Sequence, residues 1–219
     1  AWVGYPPPVE LLLTHGYFLA GDPHEAQIMR PFPPLGLQYL VAYARREGFD
    51  ADWYLTRTEA RRRIDDGSAL LARHLPGDIA GTVADFGCGW GYLARDLLPR
   101  APEIAQIHLI DAEHLAIEAA RANVPDRRAA FHWLDLTQEA APATFDAIVC
   151  NPPFHTGRAS TPALGQKIIE AASRALKPGG HFYMVANRGL PYEPVLKAHF
   201  TSFATLADNN KFRVSRAIR

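Results

Sequence analysis

From Gly81 onward, short apolar runs alternate with stretches of helical period. The runs Thr82–Phe86, Ile107–Ile110, Ala130–Trp133, Ala147–Cys150, His181–Ala186, Phe203–Ala207 and Phe212–Ala217 carry the β-branched and aromatic residues of buried strands. Between them, apolar positions spaced three and four apart predict helices over Tyr92–Leu98, Glu113–Ala122, Ala163–Leu176 and Tyr192–Ala198. Lys177-Pro178-Gly179-Gly180 is expected to stop a helix and feed a strand. Such alternation predicts an α/β fold built on a mostly parallel sheet of seven strands.

Residues 1–55 have a different texture, with proline clusters at Pro6-Pro7-Pro8 and Pro31-Phe32-Pro33-Pro34. Val9–Leu13 and Ala51–Leu55 suit short strands, and Leu35–Arg46 suits a helix closed by Gly48, which together would make one βαβ unit. Thr56–Arg63 is basic, the usual composition of a solvated face. Ile64-Asp65-Asp66-Gly67-Ser68 suits a turn, and an amphipathic helix through Leu70, Leu71 and Leu75 follows, ending near Pro76-Gly77. The expected organisation is an extension over 1–55, a linker and lead-in helix over 56–80, and the α/β domain over 81–219.

Composition narrows the classes. With 219 residues, 48% apolar and 21% charged, the chain can bury one sizeable core. Lys+Arg and Asp+Glu number 23 each, so any nucleic-acid contact must come from a local patch. Cys88 and Cys150 are too few for a disulfide framework, which points to a reducing, cytoplasmic setting. No apolar run approaches the roughly 18 residues of a membrane span. Neither a His-Glu-x-x-His metal motif nor a Gly-x-Ser-x-Gly nucleophile is present.

Candidate chemistry gathers at the carboxyl ends of the predicted strands, the edge where ligands bind in such sheets. Asp85-Phe86-Gly87-Cys88-Gly89-Trp90-Gly91 leaves the first strand and opens a helix, and its glycines allow a ligand close to the backbone. A dinucleotide fingerprint would need its third glycine at position 92, which is Tyr92. The acidic Asp85 disfavours a pyrophosphate and suits a cationic or neutral ligand. Asp111 ends the second strand, where a carboxylate accepts from both hydroxyls of a ribose. Asp135 follows the third, placed to meet an adenine amino group. Each of these acids also suits a helix cap.

Asn151-Pro152-Pro153-Phe154-His155 follows the fourth strand. Two prolines stiffen the backbone there. The Asn151 side-chain carbonyl and the Pro152 carbonyl are two acceptors for an exocyclic NH2, and Phe154 offers a face for stacking. Such an amine is a poor nucleophile because its lone pair is delocalised into the ring, and two acceptors holding its hydrogens would turn that lone pair toward an electrophile. A proline-stiffened turn is the simpler alternative for the same residues.

Residues 64–219 resemble a class I S-adenosylmethionine-dependent methyltransferase, with Asp85–Gly91 as its first motif and Asn151–Phe154 as its amino-methylating motif. Within that class, Asn151–His155, Asn187–Tyr192 and Asn209–Val214 are similar to the ribosomal RNA guanine-N2 methyltransferases, and Ile64–Ser68 matches the segment those enzymes place before the first motif. The resemblance implies a Rossmann-like sheet and S-adenosyl-L-methionine held by Asp85, Gly87, Cys88, Gly89, Gly91, Asp111, Asp135 and Asn151. It also implies ribosomal RNA or a ribosomal subunit as partner, Asn151, Pro152 and Phe154 at the reacting amine, and Pro153, Phe154 and His155 against the base. Residues 1–55, through Thr14–Leu19 and Ile28–Leu40, resemble the opening of the cobalamin-binding domain of radical-type adenosylmethionine enzymes, without its cobalt-ligating His or three-cysteine cluster motif. Two alternatives stay open: a glutamine-N5 or adenine-N6 methyltransferase, which presents the same NH2 geometry, and a non-catalytic cofactor- or RNA-binding module.

Overall fold

The computed structural model describes residues 65–152, 155–156, 159–160 and 162–219. The expected extension over 1–55 lies outside them, as do Pro153 and Phe154; of His155 only the backbone is described. Residues 64–219 form one compact unit.

Helix α1 (Asp66–His74) leads in, followed by β1 (Gly81–Phe86), α2 (Tyr92–Leu97), β2 (Ile104–Asp111), α3 (His114–Asn123), β3 (Ala129–Trp133) and β4 (Phe145–Cys150). After the two-residue strands β5 (His155–Thr156) and β6 (Ala159–Ser160) come α4 (Pro162–Ala175), β7 (Leu176–Asn187), α5 (Glu193–His199), β8 (Ser202–Asp208) and β9 (Phe212–Ile218). The main sheet has seven strands in the order β3-β2-β1-β4-β7-β9-β8. β3, β2, β1, β4 and β7 pair in parallel, whereas β9 runs antiparallel to both β7 and β8.

Strands buried on both faces explain the apolar runs. Successive side chains of a strand point to opposite sides, so Val83 and Val149 join α1, α2 and α3 in one core, with Leu71, Leu97, Ile107 and Ile117. Phe86, Ile148 and Phe182 join α4 and α5 in the other, with Ile169 and Leu196. Gly165 allows α4 to close on α5's leader: a Cβ there would lie 2.0 Å from the Tyr192 hydroxyl.

Two local expectations are corrected. Of the turn expected at 64–68, residues 65–68 are the cap and first turn of α1, because the Asp65 carboxylate accepts from Ser68 N at 2.7 Å and offsets the cost of Gly67 in a helix. Lys177–Gly180 lies within β7 rather than before it. Gly179 takes φ +77° there, and Gly179 N and Gly180 O bond to Arg219 O and N, so the C-terminus supplies the pairing that keeps this irregular stretch in the sheet.

Candidate cofactor and amine site

Parallel register brings the carboxyl ends of β2, β1 and β4 side by side, with Ile110 and Cys150 flanking Phe86. The glycine loop sits between them. Gly87 N and Cys88 N donate to Ile110 O at 2.9 and 3.1 Å, tying the loop to the end of β2. Gly91 caps α2 at φ +86°, and a Cβ there would lie 2.6 Å from Val124 Cγ2, so this position combines left-handed backbone with close packing on α3's end. Gly89 is different: a Cβ would meet nothing within 4 Å, so the chain leaves open space against its backbone.

Asp85 is fully buried, at 0% exposure. Its Oδ2 accepts from Ala94 N at 3.3 Å, whereas Oδ1 is buried with no hydrogen-bond partner. Burial first, and the charge of Asp111 to a lesser extent, push its carboxyl up to about 7 against the opposing Ala94 bond. A buried, unpartnered carboxylate oxygen is costly unless something cationic meets it. Asp111 is better supported. Its Oδ2 accepts from Gly89 N at 2.9 Å and its Oδ1 from Glu113 N at 2.9 Å, while burial raises its pKa. Cys88 and Cys150 are buried thiols, pushed far up by desolvation, which leaves neither a nucleophile.

Asp135 turns toward its own loop. Its Oδ1 accepts from Thr137 N at 2.9 Å and Thr137 Oγ1 at 2.7 Å, and its Oδ2 from Gln138 Nε2 at 2.6 Å. These bonds, the Thr137 hydroxyl first, hold its pKa down. The capping use that an acidic strand end invites is therefore filled here.

Asn151 follows β4. Its Nδ2 donates to Asp65 Oδ2 at 2.7 Å and to Ser68 Oγ at 2.9 Å, so the amide is tied to the start of α1. Pro152 is buried beside it. Lys211 Nζ pairs with Asp66 Oδ2 at 2.9 Å, and Arg213 pairs with Asp208 at 3.1 Å. Both pairs are solvent-exposed, and each contributes little to stability.

Sequence reasoning missed Asp65 and Ser68 as site groups, although their capping spacing before the first strand was visible. It also missed Trp133, which is 65% exposed beside the end of β2. Its Nε1 donates to Ala112 O at 2.9 Å, and His114 packs edge-on at 5.0 Å, so the ring is held although exposed. Among the described residues, no group of three His, Cys, Asp or Glu side chains could hold a metal, and no helix is long and apolar enough to cross a membrane.

A seven-stranded sheet with only β9 reversed among its ordered pairings, together with an acidic glycine loop leaving β1, defines the class I methyltransferase fold. The seven-stranded, mostly parallel sheet is the one the sequence predicted. More narrowly, the chain belongs to the methyltransferase small domain family, whose profile matches residues 59–216. It is 37% identical over 166 residues to the ribosomal RNA large subunit methyltransferase G of Klebsiella pneumoniae, covering 73% of this chain and 44% of that protein. The Shewanella amazonensis protein of the same name is 36% identical over 171 residues, covering 75% and 44%. Among solved structures, a T. thermophilus 16S rRNA N2 methyltransferase in complex with AdoMet and guanosine aligns with TM-score 0.63 and 29% identity, covering 74% of this chain and 45% of that one. The chain thus spans less than half the length of these relatives.

Proposed function

We propose that this chain binds S-adenosyl-L-methionine and transfers its methyl group to the exocyclic N2 amine of a guanine in ribosomal RNA. The observation that carries most weight is the pair formed by Asp85 and Asn151. One offers a buried, unpartnered carboxylate oxygen beside the glycine loop; the other sits at the neighbouring strand end with its amide nitrogen already engaged. The T. thermophilus relative was solved with AdoMet and guanosine, which agrees with a cofactor and a guanine at one edge. Cytoplasmic location and recognition of RNA, alone or in a subunit, belong to the same reading.

The residues present suit this cofactor. When bound, S-adenosylmethionine supplies an electrophilic methyl on a sulfonium. Asp85 meets cationic charge, Gly89 leaves room for close approach, Asp111 accepts from ribose hydroxyls, and Asp135 and Cys88 line the same edge. Asn151 Oδ1 and the Pro152 carbonyl then accept from the two hydrogens of the target amine and aim its lone pair. Most of the acceleration comes from positioning and water exclusion. The amine becomes acidic only as it gains the methyl, so no strong base precedes transfer. Pro153, Phe154 and His155 complete the base site in this reading, with Phe154 stacking on the flipped base for about 1 to 3 kcal/mol. Residues 81–219 with the lead-in helix make the catalytic unit, and residues 1–55 are an extension outside it.

Calorimetric titration with S-adenosylmethionine and its demethylated product is the direct test. Wild type is expected to bind in the micromolar range, and Asp111→Ala to weaken binding at least about a hundredfold. That substitution removes charged acceptors for the ribose and also releases Gly89 N from its 2.9 Å anchor. Tritium-methyl transfer to unmodified ribosomal RNA, with products digested to nucleosides, should then give N2-methylguanosine. Label in adenosine or in protein glutamine instead would overturn the guanine assignment.

A further inference from the structure

We infer that Asp65 and Ser68 are positioning residues that fix which end of the Asn151 amide faces the substrate, and so restrict this spot to a hydrogen-bond donor. The inference rests on the reading of Asn151 as acceptor for the target amine.

A carboxamide has a donor end and an acceptor end of nearly equal size, so its neighbours decide its orientation. An ionised carboxylate only accepts. Asp65 Oδ2, 2.7 Å away, therefore takes the nitrogen end of Asn151, and Ser68 Oγ at 2.9 Å takes the second hydrogen of the same nitrogen. With both N–H groups used, Nδ2 has nothing left to donate, and Oδ1 is turned away from α1 as an acceptor. A ligand amine is welcome there; a ligand carbonyl is repelled.

The tether also acts electronically. A hydrogen bond to a carboxylate is charge-assisted and polarises the amide, which makes Oδ1 a stronger acceptor. That matters most when the amine gains positive charge during methyl transfer, so the effect falls on turnover rather than on cofactor binding.

The sequence around Asp65 is built for close approach. A Cβ at Gly67 would lie 2.9 Å from Asp65 Oδ2 and 3.2 Å from Phe212 Cε1, so a larger residue would push the carboxylate out of place. Asp66 pairs with Lys211 in the turn before β9, a weak exposed contact between the first helical turn and the C-terminal hairpin. Asp65, Gly67 and Ser68 thus contribute a tether, a space and a second tether to a residue more than 80 positions away.

The test separates this role from simple helix capping. Asp65→Ser keeps a good cap residue but its shorter side chain cannot reach Asn151. With it, the single-turnover methylation rate on unmodified ribosomal RNA at saturating cofactor is expected to fall about tenfold to a hundredfold, with cofactor affinity within about twofold. Ser68→Ala should show a smaller fall of the same kind. In ¹⁵N-labelled protein, the Asn151 side-chain NH2 signals should move in both variants. A swap gives the sharpest outcome: Asn151→Asp sets two carboxylates against each other, and adding Asp65→Asn restores a donor and an acceptor with their roles exchanged. Recovery of rate in the double variant above Asn151→Asp alone supports the tether. Unmoved Asn151 NH2 signals in Asp65→Ser, or an unchanged single-turnover rate, overturns it. Wild type that transfers no methyl to any RNA would instead sink the proposed reaction, and the NH2 signals would still decide the tether.

Discussion

Asn151→Ala is expected to lower methyl transfer by at least about a hundredfold while leaving S-adenosylmethionine affinity within about twofold, a loss comparable to removing one preorganised group that meets charge developing in a transition state. Alanine removes the Oδ1 acceptor but leaves the Gly87–Gly91 loop, Asp85 and Asp111 untouched, because none of their bonds runs through the Asn151 side chain. It also strands Asp65 and Ser68, whose bonds to Nδ2 disappear. The helix keeps its cap through Asp65 Oδ2 and Ser68 N, so the stability change should stay near 1 kcal/mol. Calorimetry and single-turnover kinetics on the same preparation settle the matter. Equal losses of binding and rate would mean that Asn151 shapes the cofactor pocket instead of holding the amine.

The fold was legible because every central strand is buried on both faces and so announces itself as an apolar run. At β7 the prediction drifted because of a long-range partner. Lys177–Gly180 carries a helix-stopping proline and two glycines, yet it belongs to β7 because Arg219 bonds to Gly179 and Gly180. No local window contains that partner. The candidate site drew its residues from the same pattern: Asp85 and Asp111 lie at the ends of β1 and β2, and the glycines follow β1. Asp135 sits in the expected place, but its own sequence supplies Thr137 and Gln138, which fill its oxygens. The link between Asp65 and Asn151 was not legible, since nothing in a capping word says what else its carboxylate holds. Trp133 escaped for the opposite reason. A tryptophan ending a strand looks like core, and only the structure shows it mostly exposed and pinned to Ala112.

Asp85→Asn should both stabilise the ligand-free protein and cripple its binding of the cofactor. Folding raises the Asp85 pKa from 3.8 to about 7, chiefly by burial. Between those values the folded state holds a proton that the unfolded chain has released, so the Asp85 contribution to stability is intact below about pH 4 and is lost as pH rises through about 7. Above that pH the fold carries an ionised carboxylate with one buried oxygen unpartnered, at a cost of about 4 kcal/mol from the size of the shift. Asparagine is neutral at every pH and can still accept from Ala94 N, while its Nδ2 takes the place of the unpartnered oxygen and offsets about 1 to 2 kcal/mol of that gain. The variant should therefore melt roughly 5 to 10 °C higher than wild type at pH 8, with the gap closing at pH 5. Binding runs the other way. A cationic ligand needs Asp85 ionised, so wild-type affinity for S-adenosylmethionine should fall as pH drops below about 7, approaching tenfold per unit. In Asp85→Asn that slope should vanish, and affinity at pH 8 should be at least about a hundredfold weaker. Melting curves and calorimetry at pH 5 and pH 8 measure both arms. A variant that melts with wild type at pH 8 would show that Asp85 is solvated or paired in solution, and an unchanged pH slope in binding would place the ligand's positive charge elsewhere. Agreement of both arms would mean that the fold tolerates an unfavourable carboxylate in its core because the bound ligand neutralises it.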